Sequence, residues 1–281
     1  MTPLSNIVVV SDTHCGCRLG LCPPEGIPLD NGGHYEPSSF QQKMWSMWRC
    51  FWDEFVPEAT RGEDWGVVIN GDALDGVHHN STTQVSQNLR DQAKIARAVF
   101  DPIVKACGGK LWWVRGTEAH VGSSAAEEER LAQEVGAIPN TEGQYARWDL
   151  WKEIGDGKLA HFLHHIGTTG SQAYEATAVG KELVEEFVEA ARWGRKAPSA
   201  IVRSHRHRHI EISIATGGDH GETGRALAVV TPAWQGKTPF AWKIPGARLS
   251  SPQFGGILLR YAHNRLFCDA KVWTVDRSEI E

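Results

Sequence analysis

At 281 residues and 31.1 kDa, with 41% hydrophobic and 22% charged side chains, the chain has an ordinary globular make-up. It is long enough to bury roughly three quarters of its unfolded surface without disulfides. Twenty-nine basic against 34 acidic residues leave a net charge of -5, which excludes a dedicated DNA-coating protein, and the lack of any run of about 18 apolar residues excludes a membrane span.

The first element is the apolar run Ile7-Val8-Val9-Val10, which stops at Ser11-Asp12 and is too short for a signal peptide. Together with six scattered cysteines, this predicts reduced thiols in a cytoplasm. Cys15-x-Cys17-x4-Cys22 is expected to be buried thiols rather than a zinc site, because no second cysteine pair stands at ribbon spacing. A long Gly/Pro-bearing loop is predicted over 15–38. A helix with a Trp and Phe face follows from Ser39 to Phe55, with Trp45, Trp48 and Trp52 at core spacing.

Strands are predicted at Trp65 to Ile69 and Leu111 to Val114, with helices from Gln84 to Ala106 and Ala125 to Val135. Leu159 to His165 and Ala200 to Val202 read as further strands, with Ala178 to Trp193 as a helix between them. From Ile210 onward, short alternating runs between Gly and Pro turns suggest antiparallel strands. Strand and helix alternate, so the expected fold class is an α/β layered sandwich, with residues 1–281 as a single domain and function at the carboxyl ends of the strands.

Chemistry-bearing residues recur where the predicted strands stop: Asp12-x-His14, then Gly71-Asp72-x-x-Asp75-Gly76, then Gly116-Thr117-Glu118-Ala119-His120, His161 with His164-His165, and Ser204-His205-Arg206-His207. Each alone has a plain structural explanation as a cap, a turn or a solvated face. Their repetition at successive strand ends does not. Imidazole and carboxylate donors suit Zn, Mn and Fe, and a carboxylate such as Asp72 can span two divalent ions and reduce their repulsion.

In this order the motifs resemble the calcineurin-like metallophosphoesterases, whose pattern is D-x-H, G-D-x-x-D, G-N-H-D/E, H and G-H-x-H. The resemblance covers residues 7 to 209 and is nearest to the small single-domain forms, including phage-encoded and nuclease-type ones; a phage origin would place the chain in the host cytoplasm. It implies an α/β/β/α sandwich of two mixed sheets flanked by helices. It also implies two divalent ions, Mn2+ first, with Zn2+, Fe2+ or Ni2+ as alternatives. Asp12, His14 and His207 would hold one ion, Asp72 would bridge, and His164 with His205 would hold the other, with His165 as the alternate to His164. Asp75 would orient ligands.

Two departures stand out. Ser204 replaces a glycine, and the third motif lacks its asparagine, so Glu118 is expected as the replacement ligand and His120 as the catalytic histidine. His78, His79, Arg206 and Arg208 are candidates for substrate phosphate, and Trp234 for a wall of the site. The implied reaction is metal-dependent hydrolysis of a phosphodiester in nucleic acid or a nucleotide. The alternatives are a phosphomonoesterase and a non-catalytic metal-binding scaffold.

Overall fold

The valine run near the N terminus is apolar at every position because it lies between two cores. The computed structural model describes residues 3–78, 80–167, 171–217, 223–244, 247 and 250–274. In β1 (Asn6–Val10), Val8 and Val10 enter a core shared with helices, while Ile7 and Val9 enter a second core shared with another sheet. A small hairpin, β2 (Ile27–Pro28) with β3 (His34–Tyr35), punctuates the predicted 15–38 loop. Ser38 and Gln41 then close a reciprocal capping box on α1 (Ser39–Cys50). The chain continues through a π-helical turn, Phe51–Phe55, into α2 (Val56–Thr60), so this helical segment outruns its predicted end.

Next come β4 (Trp65–Asn70), α3 (Leu89–Ala106), β5 (Leu111–Val114), the one-turn α4 (Glu118–Val121), α5 (Ala126–Val135) and β6 (Ala146–Arg147). The predicted start of α3 at Gln84 is five residues early. The Asn88 side chain caps the helix by accepting from Arg90 N, and the Gln84 side chain is diverted to Asp75. The second half supplies β7 (Leu150–Ile154), β8 (Lys158–Phe162), α6 (Glu175–Arg192), β9 (Ala200–Arg203), β10 (Ile210–Gly217), β11 (Thr223–Val230), β12 (Gln253–Ala262) and β13 (Arg265–Thr274).

One sheet has the order β13-β12-β1-β4-β5-β6 and the other β10-β11-β9-β8-β7; both are mixed. Ile7, Val9, Val68 and Val114 of the first sheet meet Phe162, Val202 and Val229 of the second. The outer face of the first sheet packs on α1, α3 and α5 through residues such as Trp48, Phe100 and Leu131, and α6 covers the second through Val179 and Leu183. The layers therefore run α/β/β/α, as expected. No helix among the described residues is long and apolar enough to cross a membrane.

Candidate metal centre

Parallel pairing brings the carboxyl ends of β1, β4 and β5 together, and those of β8 and β9 likewise. The loops leaving these strands are stitched to one another: Asp12 N donates to Gly71 O (2.9 Å), His14 N to Asp72 O (3.0 Å) and Ser204 N to His164 O (2.9 Å). Beneath them runs a buried hydroxyl chain. Asn70 Nδ2 donates to Ser204 Oγ (2.7 Å), Ser204 Oγ pairs with Thr231 Oγ1 (2.7 Å), and Thr231 Oγ1 pairs with Ser11 Oγ (2.7 Å). The serine that departs from the resemblance thus joins the two sheets directly below the site.

Asp12, His14 and His207 form one set of donor atoms, all within 4.8 Å of one another, and Asp72, His164 and His205 form another. Asp72 also groups with His14 and His120, so its carboxylate adjoins both sets. Their backbone is unusual: Asp12, His14, Asp72, His205 and His207 all have φ between 41° and 71°, a left-handed conformation that residues other than glycine seldom adopt. This bend explains how His205 and His207, two apart in sequence, reach different sets.

The donors fit a divalent cation. His14 Nε2 and His207 Nε2 lie 3.3 Å apart; two nitrogens bonded to one tetrahedral ion at about 2.0–2.1 Å would be separated by about 3.4 Å. Asp12 Oδ1 is buried with no hydrogen-bond partner, 3.2 Å from His207 Nε2. His164 donates from Nδ1 to the Asn70 carbonyl (2.7 Å), which leaves Nε2 turned to Asp72 Oδ2 at 3.0 Å. Burial alone would raise the carboxyl pKa of Asp12 and Asp72. Neighbouring imidazoles, His207 and His164 for Asp12 and chiefly His164 for Asp72, hold both well below the usual carboxylate range. Reciprocally, burial works against a charge on His164, but Asp72 and Asp12 raise it to about 10.

Asp75 sits behind the ligands. It accepts from Gln84 Nε2 (3.2 Å) and Gln235 Nε2 (3.3 Å), and its Oδ1 lies 3.4 Å from His14 Nδ1. Burial opposes its ionisation, yet contacts with His14 and His78 keep it well below the usual range. His120 donates from Nδ1 to the Asp75 carbonyl (2.7 Å), and burial pushes it down to about 4, so the free protein carries it neutral. His78 packs its ring 4.3 Å from that of His120 and groups with it and Asp75. His165 is exposed and lies in neither ligand set, so His164 is the inward member of the pair.

The third motif departs from expectation. Glu118 is exposed on α4 and joins neither set. The one-turn helix begins there and turns its side chain outward, and Thr117 occupies the position facing the metal loops. Thr117 N donates to Asp72 Oδ1 (2.6 Å) and its hydroxyl to Asp72 Oδ2 (3.1 Å), with Oγ1 also 3.2 Å from His205 Nδ1. Close approach is possible because the preceding residue is glycine: a Cβ on Gly116 would stand 2.1 Å from Asp72 Oδ1. Glu128, missed in the sequence, is fully buried behind these loops, and burial with the Asp72 charge pushes its carboxyl up to about 7. Its spacing with Leu131, Ala132 and Val135 on the buried stripe of α5 was the available signal.

Other expectations shift too. Trp234 is fully buried against Trp48 and Phe51, because its backbone N–H is tied to Asp12 O (3.0 Å) and its ring enters the helix-side core; it is no site wall. Arg208 pairs with Glu175 of α6, whereas Arg206 lies at the cleft with both terminal nitrogens buried and lacking a hydrogen-bond partner. His161 stacks on Trp151 and lies 2.8 Å from Glu186, away from the ligand sets. His79 lies outside the described residues. Cys15, Cys17 and Cys22 are buried free thiols raised by burial to about 12, and no cysteine enters a ligand group among the described residues. The ligand sets open into a cleft of about 270 Å³ whose far wall includes Phe240, Ala241, Ile244 and Pro252.

No family model matches the sequence, and no curated protein matches it. Among solved structures, the chain is similar to a Thermotoga maritima protein (10% identity, TM-score 0.38, covering 96% of this chain and all of that one) and to vacuolar protein sorting 29 from Cryptosporidium parvum (12%, 0.36, 97% and 100%). It is also similar to the sulfate thiohydrolase SoxB of Thermus thermophilus (12%, 0.36), covering 96% of this chain and 56% of that one.

Proposed function

We propose that this chain is a dinuclear metal-dependent phosphoesterase that hydrolyses phosphodiester bonds of nucleic acid or nucleotides, with Mn2+ as the first choice of ion. The carrying observation is the convergence of Asp12, His14 and His207 with Asp72, His164 and His205 around a carboxylate adjoining both sets. When bound, a pair of divalent ions supplies Lewis-acid polarisation of phosphoryl oxygens and activation of water near neutral pH, so no protein nucleophile is required.

The protein's own groups set the geometry. Thr117 fixes both oxygens of Asp72, and the Asn70 carbonyl fixes the tautomer of His164. The Asp75 carbonyl holds His120 by Nδ1, leaving Nε2 as its free nitrogen beside the cleft. In its protonated form His120 would stabilise developing charge or protonate the leaving oxygen. The cleft continues past the ligands to an apolar wall, which gives room for the organic group of an ester.

A substrate panel tests this. Metal-stripped protein is supplied separately with Mn2+, Zn2+, Fe2+, Ni2+ or Mg2+ and assayed on mono- and bis(p-nitrophenyl) phosphate, single-stranded DNA and duplex DNA. Metal-dependent cleavage of the diesters is expected. Faster monoester turnover would make it a phosphatase, and bound ions without turnover on any substrate would make it a binding scaffold.

A further inference from the structure

Glu128 is a fully buried carboxylate on α5 that faces the two loops controlling Asp72. Its Oε1 accepts from the backbone N–H of Ala73 (2.8 Å), the residue after Asp72, and its Oε2 from that of Gly116 (2.6 Å), the residue before Thr117. Thr117 closes the circuit by donating its N–H and hydroxyl to the two oxygens of Asp72. The loop after β4 and the loop after β5 are thereby clamped through one side chain, on the side of Asp72 away from the cleft.

We infer that Glu128 is a positioning residue that sets the Asp72 carboxylate for the ion held with His164 and His205, an inference that rests on the two-set reading of the site. Both oxygens of Glu128 receive N–H donors, so a glutamine of the same shape must aim its NH2 at one of them and lose that tie. An aspartate keeps the charge but, one methylene shorter, reaches only one amide. Each change frees Asp72 from behind without altering any ligand. The Asp12, His14 and His207 set, which makes no contact with Glu128 among its hydrogen bonds, keeps its ion.

The test titrates Mn2+ alone into metal-stripped wild type, Glu128→Gln, Glu128→Asp and the same-helix control Glu127→Gln, by calorimetry and by electron paramagnetic resonance. Wild type and Glu127→Gln should bind two ions and show an exchange-coupled signal. Glu128→Gln should bind the first ion as wild type does and the second roughly 10–100-fold more weakly, giving a mononuclear signal at matched Mn2+. Glu128→Asp should fall between the two and supplies the answer if the glutamine variant does not fold. Equal weakening of both ions, or lowered melting temperature with an unchanged isotherm, would overturn the role of Glu128. A wild-type protein that binds no second ion would instead overturn the two-set reading itself.

Discussion

The two ligand sets are built from the same residue types but backed differently. Asp12 and His14 are buried, and the Asp12 loop is bonded to neighbouring loops on several sides. In the second set Asp72 and His164 are equally buried, but the His205 side chain is 39% exposed and the remaining corner is a threonine that serves Asp72 instead of presenting a carboxylate. Each set carries one carboxylate and two imidazoles, but the first is the more buried, its most open member His207 being 28% exposed, while the second depends on how firmly Asp72 is held. The first set should load at lower metal concentration.

Asp72→Asn attacks what both sets share. It should lower turnover by about 10³-fold or more, about 4 kcal/mol of transition-state stabilisation, and abolish two-ion stoichiometry measured by metal analysis. His120→Ala removes a group that neither set needs for its ion. It should keep both ions and lose roughly 10²-fold in kcat, checked by steady-state kinetics beside metal analysis; parental activity would remove His120 from the mechanism.

Thr117 bonds to Asp72 and lies against His205, both of the second set. Thr117→Ala should weaken only the second ion, by roughly tenfold, while Glu118→Ala should leave both isotherms and turnover unchanged in a calorimetric titration. A further effect lies away from both sets. His161, held near 3 by burial and by Arg203, stays neutral in the folded chain, whereas in the unfolded chain it takes up a proton below about 6.5. Stability it contributes above that pH is therefore lost as pH falls from 6.5 toward 3, at up to ~1.4 kcal/mol per pH unit. Urea melts at pH 6.5 and 5 should show wild type losing about 1–2 kcal/mol more than His161→Gln.

The order of strands and helices, and with it the ligand-bearing ends, was readable because buried parallel strands are continuous apolar runs and the Asp and His clusters interrupt them abruptly. The third motif was not. What recommends Thr117 is its backbone N–H as much as its hydroxyl, and a main-chain donor leaves no mark in a sequence. Glu128 sits among Glu127 and Glu129 in a run that resembles a solvated helix face, and only its place on the apolar stripe separates it from them. Trp234 misled for the opposite reason: its glycine- and proline-bearing surroundings suggest a surface loop, yet that segment is hydrogen-bonded to the loop after β1 and drops its ring into the core.

The left-handed backbone at Asp12, His14, Asp72, His205 and His207 sets heat resistance against chemistry. Glycine would relax the main chain at each of these positions and would also remove a crowded polar group. A library of variants selected only for surviving high temperature would drift toward glycine at these sites and lose the proposed metal ligands first, so a stabilising programme for this protein must screen for metal binding from its first round.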